Sequence, residues 1–452
     1  MSDNKAHPQS PSRRRFVGAA AASVAAASLS QLAFAEKESS IVSVTKAANG
    51  DKDAIRPLHV NVPEAQLIDL RRRIRATRWP ERETVSDDSQ GVPLAMMQEL
   101  ARHWSSDYDW RKCEAKLNGY PNFITEIDGL DIHFIHVRSK HENAMPLIVT
   151  HGWPGSVIEQ FKIIDPLINP TAHGASSSDA FHLVIPSLPG YGFSGKPGTT
   201  GWGPERTARA WVTLMKRLGY DKFAAQGGDL GGVVANVMGK QRPPELLGIH
   251  VNFPATVPAD IAKALQAGDA PPVGLDDEEK HAYDQLASAA RKRRAYALEM
   301  GTRPQTLYGI ADSPIGLAAW LLDHGDGYVQ PAAALTSAVF GHTVNGESSG
   351  AMTRDDVLDD ITLYWLTNTG VSSARFYWES HFNFLAAADV AVPAAVSVFP
   401  RENYQAPRSW TERAYHNLIW YNRLDKGGHF AAWEQPDLFA EEVRAGLRSL
   451  RT

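Results

Sequence analysis

The sequence predicts an α/β fold in which a long helical insertion interrupts a mostly parallel sheet. From residue 146 onward, short apolar runs bounded by Gly or Pro alternate with helical stretches, and these runs end at residues 150, 186, 226 and 253. Runs that are hydrophobic without alternation are typical of parallel strands covered by helices on both faces. After a helical, aromatic-rich stretch, the same pattern returns in AAVSVFP (394–400) and NLIWYN (417–422).

A separate region precedes this core. ITEIDGLDIHFIHV (124–137) alternates apolar and polar residues about an Asp-Gly turn, which predicts a hairpin. Pro63 is well placed to begin a helix that Trp79-Pro80 ends, and a second helix is expected over 92–105. The expected organisation is a linker over 36–54, an N-terminal domain over 55–140, the first part of the core over 141–254, a helical lid over 255–370 and the second part of the core over 371–452.

The first 35 residues have the composition of an export signal. SRRRFVG (12–18) precedes an Ala-rich run that ends in the small-x-small sequence Ala33-Phe34-Ala35, and the Arg pair before Phe16 indicates a twin-arginine signal. We expect export to the periplasm with cleavage after Ala35. A disordered basic tail and an uncleaved membrane anchor are the alternatives. The run is weakly apolar and falls short of the roughly 20 strongly apolar residues of a spanning helix, so no stable anchor is expected.

The charge balance and the cysteine count exclude several classes of protein. The chain has a formal net charge of −5, and loss of the first 35 residues removes four basic residues and one acidic residue, which gives −8. An acidic protein without a basic stripe is not expected to bind nucleic acid or an anionic membrane. The single cysteine, Cys113, rules out an internal disulfide and is interpreted as a buried apolar residue.

KFAAQGGDLGG (222–232) is the most informative stretch. It is interpreted as a buried strand, a glycine-rich turn and the start of a helix, which is the form of a nucleophile elbow with Asp229 at its tip. Glycines around the tip suit a turn too tight for neighbouring side chains. The helix N-terminus is expected to keep the carboxylate ionised. A plain loop in which Asp229 caps a helix is the alternative that this stretch alone leaves open.

HGWPGS (151–156) stands where such an elbow needs hydrogen-bond donors. It directly follows the first core strand, and in this kind of fold that loop supplies one N–H of an oxyanion hole while the residue after the nucleophile supplies the other. The backbone N–H groups of Trp153 and Leu230 are the expected donors. His151 is interpreted as structural.

GGHFAAWEQP places His429 in a loop after the last strand, where the fold needs a base. The acid that orients this base is expected at the end of the preceding strand, and Glu402 in VFPREN fits that place. Asp425 is the rival, but it lies four residues before His429 on the same loop and is poorly placed to reach behind the ring.

Together these motifs resemble the microsomal and juvenile-hormone branch of the epoxide hydrolases. The resemblance covers nearly the whole chain after the signal, and RWPERE, HGWPGS, PSLPGYGFS, GGDLGG, DSPIGLAAW, SSARFYWES and GGHFAAWEQP follow the order of the family. It implies an α/β-hydrolase core with a helical lid and the N-terminal domain of that family over 55–140. One departure is Leu230, which stands where the microsomal enzymes often carry Trp and gives the pocket floor a different shape.

The resemblance also implies the roles of five side chains. Asp229 is expected as the nucleophile, His429 as the base and Glu402 as the acid that orients it. Tyr377 in ARFYWE and Tyr296 in RRAYALEMGTRPQT match two lid tyrosines that hydrogen-bond the epoxide oxygen. The implied reaction adds water to an epoxide and yields a vicinal diol through an alkyl ester of Asp229.

A carboxylate suits this reaction better than a hydroxyl. It attacks the epoxide carbon without a base and forms an ester that water can cleave, whereas a serine would form an ether. No zinc-ligand spacing, phosphate loop or dinucleotide fingerprint is present, so neither a metal nor a cofactor is expected. The Trp, Tyr and Leu content of the lid predicts an apolar pocket and an apolar small-molecule epoxide as the partner.

Two other functions remain open at this point. A haloalkane dehalogenase uses the same Asp and His, and Trp153 lies where a halide-binding residue would stand. A leaving halide needs no acid, however, so the two tyrosines favour an epoxide. The second alternative is a non-catalytic binding protein of the same fold.

Overall fold

The structure is a computed structural model that describes residues 40–45, 51–86, 89–292, 294–323, 335, 337–339, 350–381 and 385–451. The expected export signal, residues 1–35, lies outside these ranges. None of the helices within them combines the length and the apolar character needed to cross a membrane.

The described residues of the N-terminal region form four antiparallel strands and three helices. The strands are β1 (Val42–Val44), β2 (Arg56–Val60), β3 (Asn122–Ile127) and β4 (Leu130–Val137), and the helices are α1 (Glu64–Arg75), α2 (Leu94–Ser106) and α3 (Trp110–Asn118). The predicted hairpin is confirmed, because β3 and β4 pair across the Asp-Gly turn. β1 lies within the segment expected as a linker, and it pairs with β2 instead of only joining domains.

The next region alternates strands and helices as predicted. It runs through β5 (Met145–Thr150), α4 (Phe161–Ile168), β6 (Phe181–Pro186), α5 (Pro204–Arg217), β7 (Phe223–Gly227), α6 (Asp229–Gln241) and β8 (Leu246–Val251). Every residue of β6 and β7 is buried, which explains why neither strand shows a period of two.

Helices then follow one another up to the next strand. They are α7 (Ala259–Ala267), α8 (Asp277–Lys292), α9 (Ala295–Thr302), α10 (Tyr308–Asp312), α11 (Pro314–Leu322), α12 (Arg354–Thr367) and α13 (Gly370–Glu379). The described part of this insertion adds no strand to the sheet. The chain then completes the sheet with β9 (Ala394–Val398), α14 (Arg408–Ala414), β10 (Leu418–Arg423), α15 (Ala431–Glu434) and α16 (Pro436–Leu447).

The ten named strands form one sheet in the order β1-β2-β3-β4-β6-β5-β7-β8-β9-β10. Pairing is antiparallel from β1 to β6 and parallel from β6 to β10, so the predicted α/β class with a mostly parallel core is confirmed. Because β5, β7 and β9 run in the same direction, the loops that follow them meet at one edge of the sheet.

Candidate active site

Asp229 stands at the tip of a tight turn between β7 and α6. Its φ is 46°, in the left-handed region that residues other than glycine rarely adopt. A Cβ at Gly231 would collide with the backbone carbonyl of Thr150 at the end of β5, so only glycine lets α6 approach β5 this closely. The cap of α6 is Gly228, and Asp229 is the first helical residue. The alternative of a plain loop with Asp229 as the cap is therefore wrong.

The HGWPGS loop lies directly against the Asp229 carboxyl. The backbone N–H of Trp153 donates a hydrogen bond to Asp229 Oδ1 at 2.9 Å, and the backbone of Leu230 hydrogen-bonds the same carboxyl. A Cβ at Gly152 would overlap that carboxyl. His151 fixes the loop, since its Nδ1 lies 2.9 Å from the carbonyl oxygen of Gly152. The two predicted oxyanion donors thus converge on the nucleophile position.

His429 lies between two carboxylates. Its Nδ1 is 2.7 Å from Glu402 Oε1, and its Nε2 is 3.6 Å from Asp229 Oδ2. A carboxylate only accepts, so Nδ1 donates and Nε2 faces Asp229. The pairing of β9 with β10 continues as a bridge between the residues just before Glu402 and His429, which sets the two side by side. Asp425 is exposed, so the structure brings Glu402, not its rival, to the ring.

Burial and neighbouring charges have opposite effects on the pKa values of His429 and Asp229. Burial lowers the pKa of His429, but the charges of Glu402, Asp229 and Glu159 more than offset it and raise the pKa to about 9. Burial raises the pKa of Asp229, against the charge of His429 and the two backbone donors. Below pH 9 His429 is an imidazolium, and its charge favours the anion of Asp229.

Tyr296 in α9 and Tyr377 in α13 reach the same place from the lid. The Trp153 indole stacks on Tyr296 with 4.9 Å between ring centroids and meets Tyr377 edge-on at 5.9 Å. A hydrogen bond joins the two phenol side chains. Burial raises the pKa of both phenols, and the charge of Asp229 adds to that rise. Both therefore remain proton donors at neutral pH.

Asp229, Tyr296 and Tyr377 line a cavity of about 90 Å³. Its walls are mostly apolar, from Leu230, Val233, Phe253, Leu286, Ala297 and Leu385, and Arg294 and Asn403 add polar groups. The apolar character of the pocket was predicted. A more open groove of about 690 Å³ lies between the lid and the 189–202 loop. It contains none of the five predicted side chains, so it is not the catalytic pocket.

Two family models match overlapping parts of the chain, and two relatives match most of it. Residues 55–160 match the epoxide hydrolase N terminus, and residues 145–277 match the alpha/beta hydrolase fold. A Stigmatella aurantiaca protein provisionally named as an epoxide hydrolase is 48% identical over 398 residues, 88% of this chain and 86% of that protein. Epoxide hydrolase 1 of Sus scrofa is 33% identical over 417 residues, 88% of this chain and 90% of that enzyme. The chain belongs to the epoxide hydrolase family.

Solved structures of the family have the same fold as this epoxide hydrolase. The juvenile hormone epoxide hydrolase of the silkworm Bombyx mori matches it with a TM-score of 0.76 at 29% identity, over 88% of this chain and 95% of that one. The epoxide hydrolase of Aspergillus niger matches with a TM-score of 0.70 at 29% identity, over 87% and 96%. Family membership makes the chain an enzyme that hydrolyses epoxides, which removes the non-catalytic alternative and favours epoxides over haloalkanes.

Two residues near Asp229 of this epoxide hydrolase were missed in the sequence. The backbone N–H of Asn403 donates to Glu402 Oε1 at 2.6 Å, and Asn403 also lines the cavity. Glu159 interacts electrostatically with Asp229 and His429. A signal for Glu159 existed, since it is the acid in the otherwise mostly apolar stretch VIEQFKII directly after HGWPGS.

Proposed function

We propose that this epoxide hydrolase adds water to an epoxide in two steps, through a covalent alkyl ester of Asp229. The observation that carries the proposal is that Asp229 and two protonated phenols line one apolar cavity, with the His429–Glu402 pair beside Asp229. With the backbone donors of Trp153 and Leu230, this set contains the groups needed for ring opening and for ester hydrolysis.

In the first step, the Asp229 carboxylate attacks an epoxide carbon, and the C–O bond breaks with its electron pair moving to oxygen. The hydroxyls of Tyr296 and Tyr377 stabilise that oxygen, and a phenol gives it a proton. Ester formation removes the charge of Asp229, which is one cause of the raised pKa of His429. The imidazolium therefore releases a proton that restores the phenol, so the net charge of the site does not change.

In the second step, neutral His429 takes a proton from a water molecule that attacks the Asp229 ester carbonyl. The backbone N–H groups of Trp153 and Leu230 stabilise the oxyanion, and Glu402 stabilises the imidazolium. Collapse of the tetrahedral intermediate breaks the ester C–O bond. The proton of the regenerated acid passes to the leaving oxygen, which releases the diol and restores the Asp229 anion beside charged His429.

The cavity supports an apolar epoxide as the substrate class. Its volume of about 90 Å³ is small, since common ligand pockets enclose roughly 300–1,000 Å³. A compact epoxide fits without rearrangement, whereas a longer one requires lid side chains to move apart.

A single turnover in ¹⁸O-labelled water tests the covalent route. Mixing excess enzyme with epoxide should place the label in the Asp229 carboxylate, because water attacks the ester carbonyl and not the epoxide carbon. The first diol formed should carry no label. Mass spectrometry of the diol and of the peptide that contains Asp229 gives both readouts, and label in the first diol would show direct attack by water.

Three variants test the second step. His429→Gln should still form the ester but leave it intact, so the protein mass should rise by the mass of the epoxide. Asp425→Asn, which changes the rival acid, should turn over like the unchanged enzyme, whereas Glu402→Gln should slow ester hydrolysis. An unchanged mass for His429→Gln with a reactive epoxide would count against the ester.

Export remains a separate proposal, because residues 1–35 lie outside the described residues. The twin-arginine-like sequence supports transport to the periplasm and cleavage after Ala35. N-terminal sequencing of the periplasmic protein tests this, and a start at residue 36 is the expected result.

A further inference from the structure

Glu159 is a partly buried acid beside the site that the two steps above do not use. It lies in a short 3-10 turn, Val157–Gln160, which Ser156 caps by accepting from the Ile158 N–H at 3.2 Å. Its Oε2 occupies the space next to Gly155, where any larger residue would place a Cβ. The missing side chain at Gly155 therefore lets this carboxyl fold back onto the HGWPGS loop.

The carboxyl of Glu159 is electrostatically coupled to the reacting groups. Burial is the largest influence and raises its pKa to about 8, while the charge of His429 lowers it and the charges of Asp229 and Glu402 raise it further. Reciprocally, Glu159 contributes to the raised pKa of His429. At neutral pH the group is protonated, and a neutral carboxyl both donates and accepts hydrogen bonds.

Two buried acceptor atoms beside this turn have the surroundings of internal water sites. The Gln160 side chain hydrogen-bonds the Glu159 carboxyl. Gln160 Oε1 and Asp360 Oδ1 are buried and have no hydrogen-bond partner among the described residues. Buried acceptors without a protein donor are typical sites of bound water.

The elements that pack against the turn carry mostly acidic groups. Their titratable residues are Arg354, Asp355, Asp356, Asp359, Asp360 and Tyr364 of α12, Lys162 and Asp165 of α4, His182 of β6 and Glu434 of α15. Lys162 pairs with Asp356 at 2.6 Å. Among the groups that set the pKa of Glu159, the cation is His429.

We propose that Glu159 positions the water that hydrolyses the Asp229 ester. His429 Nε2 removes one proton of this water, and the Glu159 carboxyl accepts a hydrogen bond from the other O–H. A lone pair of the water oxygen then points at the ester carbon. Glu159 neither gains nor loses a proton, so it is a positioning residue. The inference rests on the two-step function proposed above, and it concerns the second step alone.

Replacing Glu159 should separate the two steps. Glu159→Ala removes the acceptor, so the alkyl-enzyme should decay about tenfold more slowly, the effect of losing one hydrogen bond to a positioned group. The rate of ester formation should stay within about twofold of the unchanged enzyme. Rapid-quench mass spectrometry of formation and decay of the alkyl-enzyme measures both rates with one epoxide.

Glu159→Gln gives a readout that a merely structural role would not change. The amide keeps an acceptor, so the ester should decay at close to the normal rate at neutral pH. Burial, the largest cause of the raised pKa of Glu159, also acts in the alkyl-enzyme. Ionisation of Glu159 at alkaline pH adds a negative charge that favours the imidazolium formed in hydrolysis, so in the unchanged enzyme the decay rate should rise as Glu159 ionises. The Gln variant should lack that rise, because its amide does not ionise.

Asp359→Asn is the matched control. Burial raises the pKa of Asp359 to about 7, and it accepts from Tyr108 at 2.7 Å on the side of the N-terminal region. It should change neither rate. The inference is overturned if Glu159→Ala leaves the decay rate unchanged, if the control slows decay equally, or if Glu159→Gln keeps the rise in decay rate at alkaline pH. Absence of any ester, in His429→Gln as well, would instead overturn the two-step function.

Discussion

Asp229 combines a strained backbone conformation with a buried carboxyl group, and burial disfavours the charged form of that group. A left-handed φ in a non-glycine residue costs on the order of 1–3 kcal/mol, and burial opposes the anion. The backbone donors of Trp153 and Leu230 and the charge of His429 act in the other direction. The neighbours of Asp229 therefore fix the direction of its carboxyl group and favour its anion.

The two lid phenols should govern ring opening and not ester hydrolysis. Tyr377→Phe removes one proton donor to the epoxide oxygen, and we expect ester formation to slow by roughly 10- to 100-fold, with a larger loss in the Tyr296→Phe and Tyr377→Phe double variant. Ester decay should not change, because its oxyanion binds to the backbone of Trp153 and Leu230. Stopped-flow fluorescence of the tryptophans under single-turnover conditions follows both phases.

Tyr283→Phe is the control for these phenols. Tyr283 is a buried lid tyrosine in α8, and its hydroxyl donates to the Asp269 carbonyl at 2.8 Å, outside the cavity lining. It should leave ester formation unchanged. A double variant of Tyr296 and Tyr377 that formed the ester at the normal rate would show that the phenols do not assist ring opening.

The turn that carries Asp229 requires α6 to pack closely against the end of β5. Gly231→Ala would drive a Cβ into the carbonyl of Thr150, and overpacking of this kind costs about 1–3 kcal/mol or more. We expect a lower free energy of unfolding and loss of activity. Gly309→Ala in α10 meets no atom within 4 Å, so it should stabilise by up to about 1 kcal/mol. Urea unfolding of both variants measures the difference, and equal effects would argue against the packing explanation.

Strands and helices whose hydrophobic pattern is complete within one short segment could be predicted from the sequence. FHLVIP is buried at all six positions of β6, and its uniform hydrophobicity is enough to identify a core strand. β2 could not be predicted in this way, because RPLHV mixes exposed, intermediate and buried positions and contains a proline. In α3, only Trp110, Cys113 and Leu117 of nine residues are buried, which leaves too short an apolar face to identify a helix.

The residues of the site also differ in whether a local sequence motif marks them. Asp229 and His429 lie in glycine-rich motifs that mark them locally. The position of Glu159 depends on the space left by Gly155 and on a loop about 270 residues further along the chain, neither of which a local pattern contains.

At the scale of the whole molecule, the N-terminal region, the lid and the core are joined through α12. Trp104 Nε1 of α2 donates to Thr362 Oγ1 at 3.0 Å, and the Tyr364 hydroxyl donates to the Gly155 carbonyl at 2.9 Å. One lid helix thus touches both the N-terminal region and the loop that carries Trp153. Together with the continuous sheet, these contacts join the three regions into one packed unit.

Buried neutral histidines should make that unit sensitive to acid. Burial lowers the pKa of His133 to about 3, and its ring bonds Ser187 Oγ and Asn122 Oδ1 at 2.8 and 3.0 Å. The unfolded chain binds the extra proton first, so this contribution to stability is present above about pH 6.5 and is lost as the pH falls toward 3. His133→Gln should lower the slope of unfolding free energy against pH by up to about 1.4 kcal/mol per pH unit.

The pH slope of the unfolding free energy must be compared between variants, because other buried groups also contribute to it. A buried carboxyl with a raised pKa, such as Asp359, changes this slope in the opposite direction from His133. His59→Gln, at an exposed position of β2, should leave the slope unchanged. Urea unfolding at several pH values between 4 and 7 provides the slopes. Equal slopes for His133→Gln and the unchanged protein would contradict the assignment of His133 as a neutral buried residue.

The pairing of β8 with β9 spans the whole of residues 252–393, and it has a consequence for the order of synthesis. A ribosome completes the Asp229 turn 200 residues before it adds His429. Under the two-step function proposed above, a chain that stops in between carries the attacking carboxylate without the base that hydrolyses its ester. Repeated turnover would then depend on the last strand and on the loop that follows it.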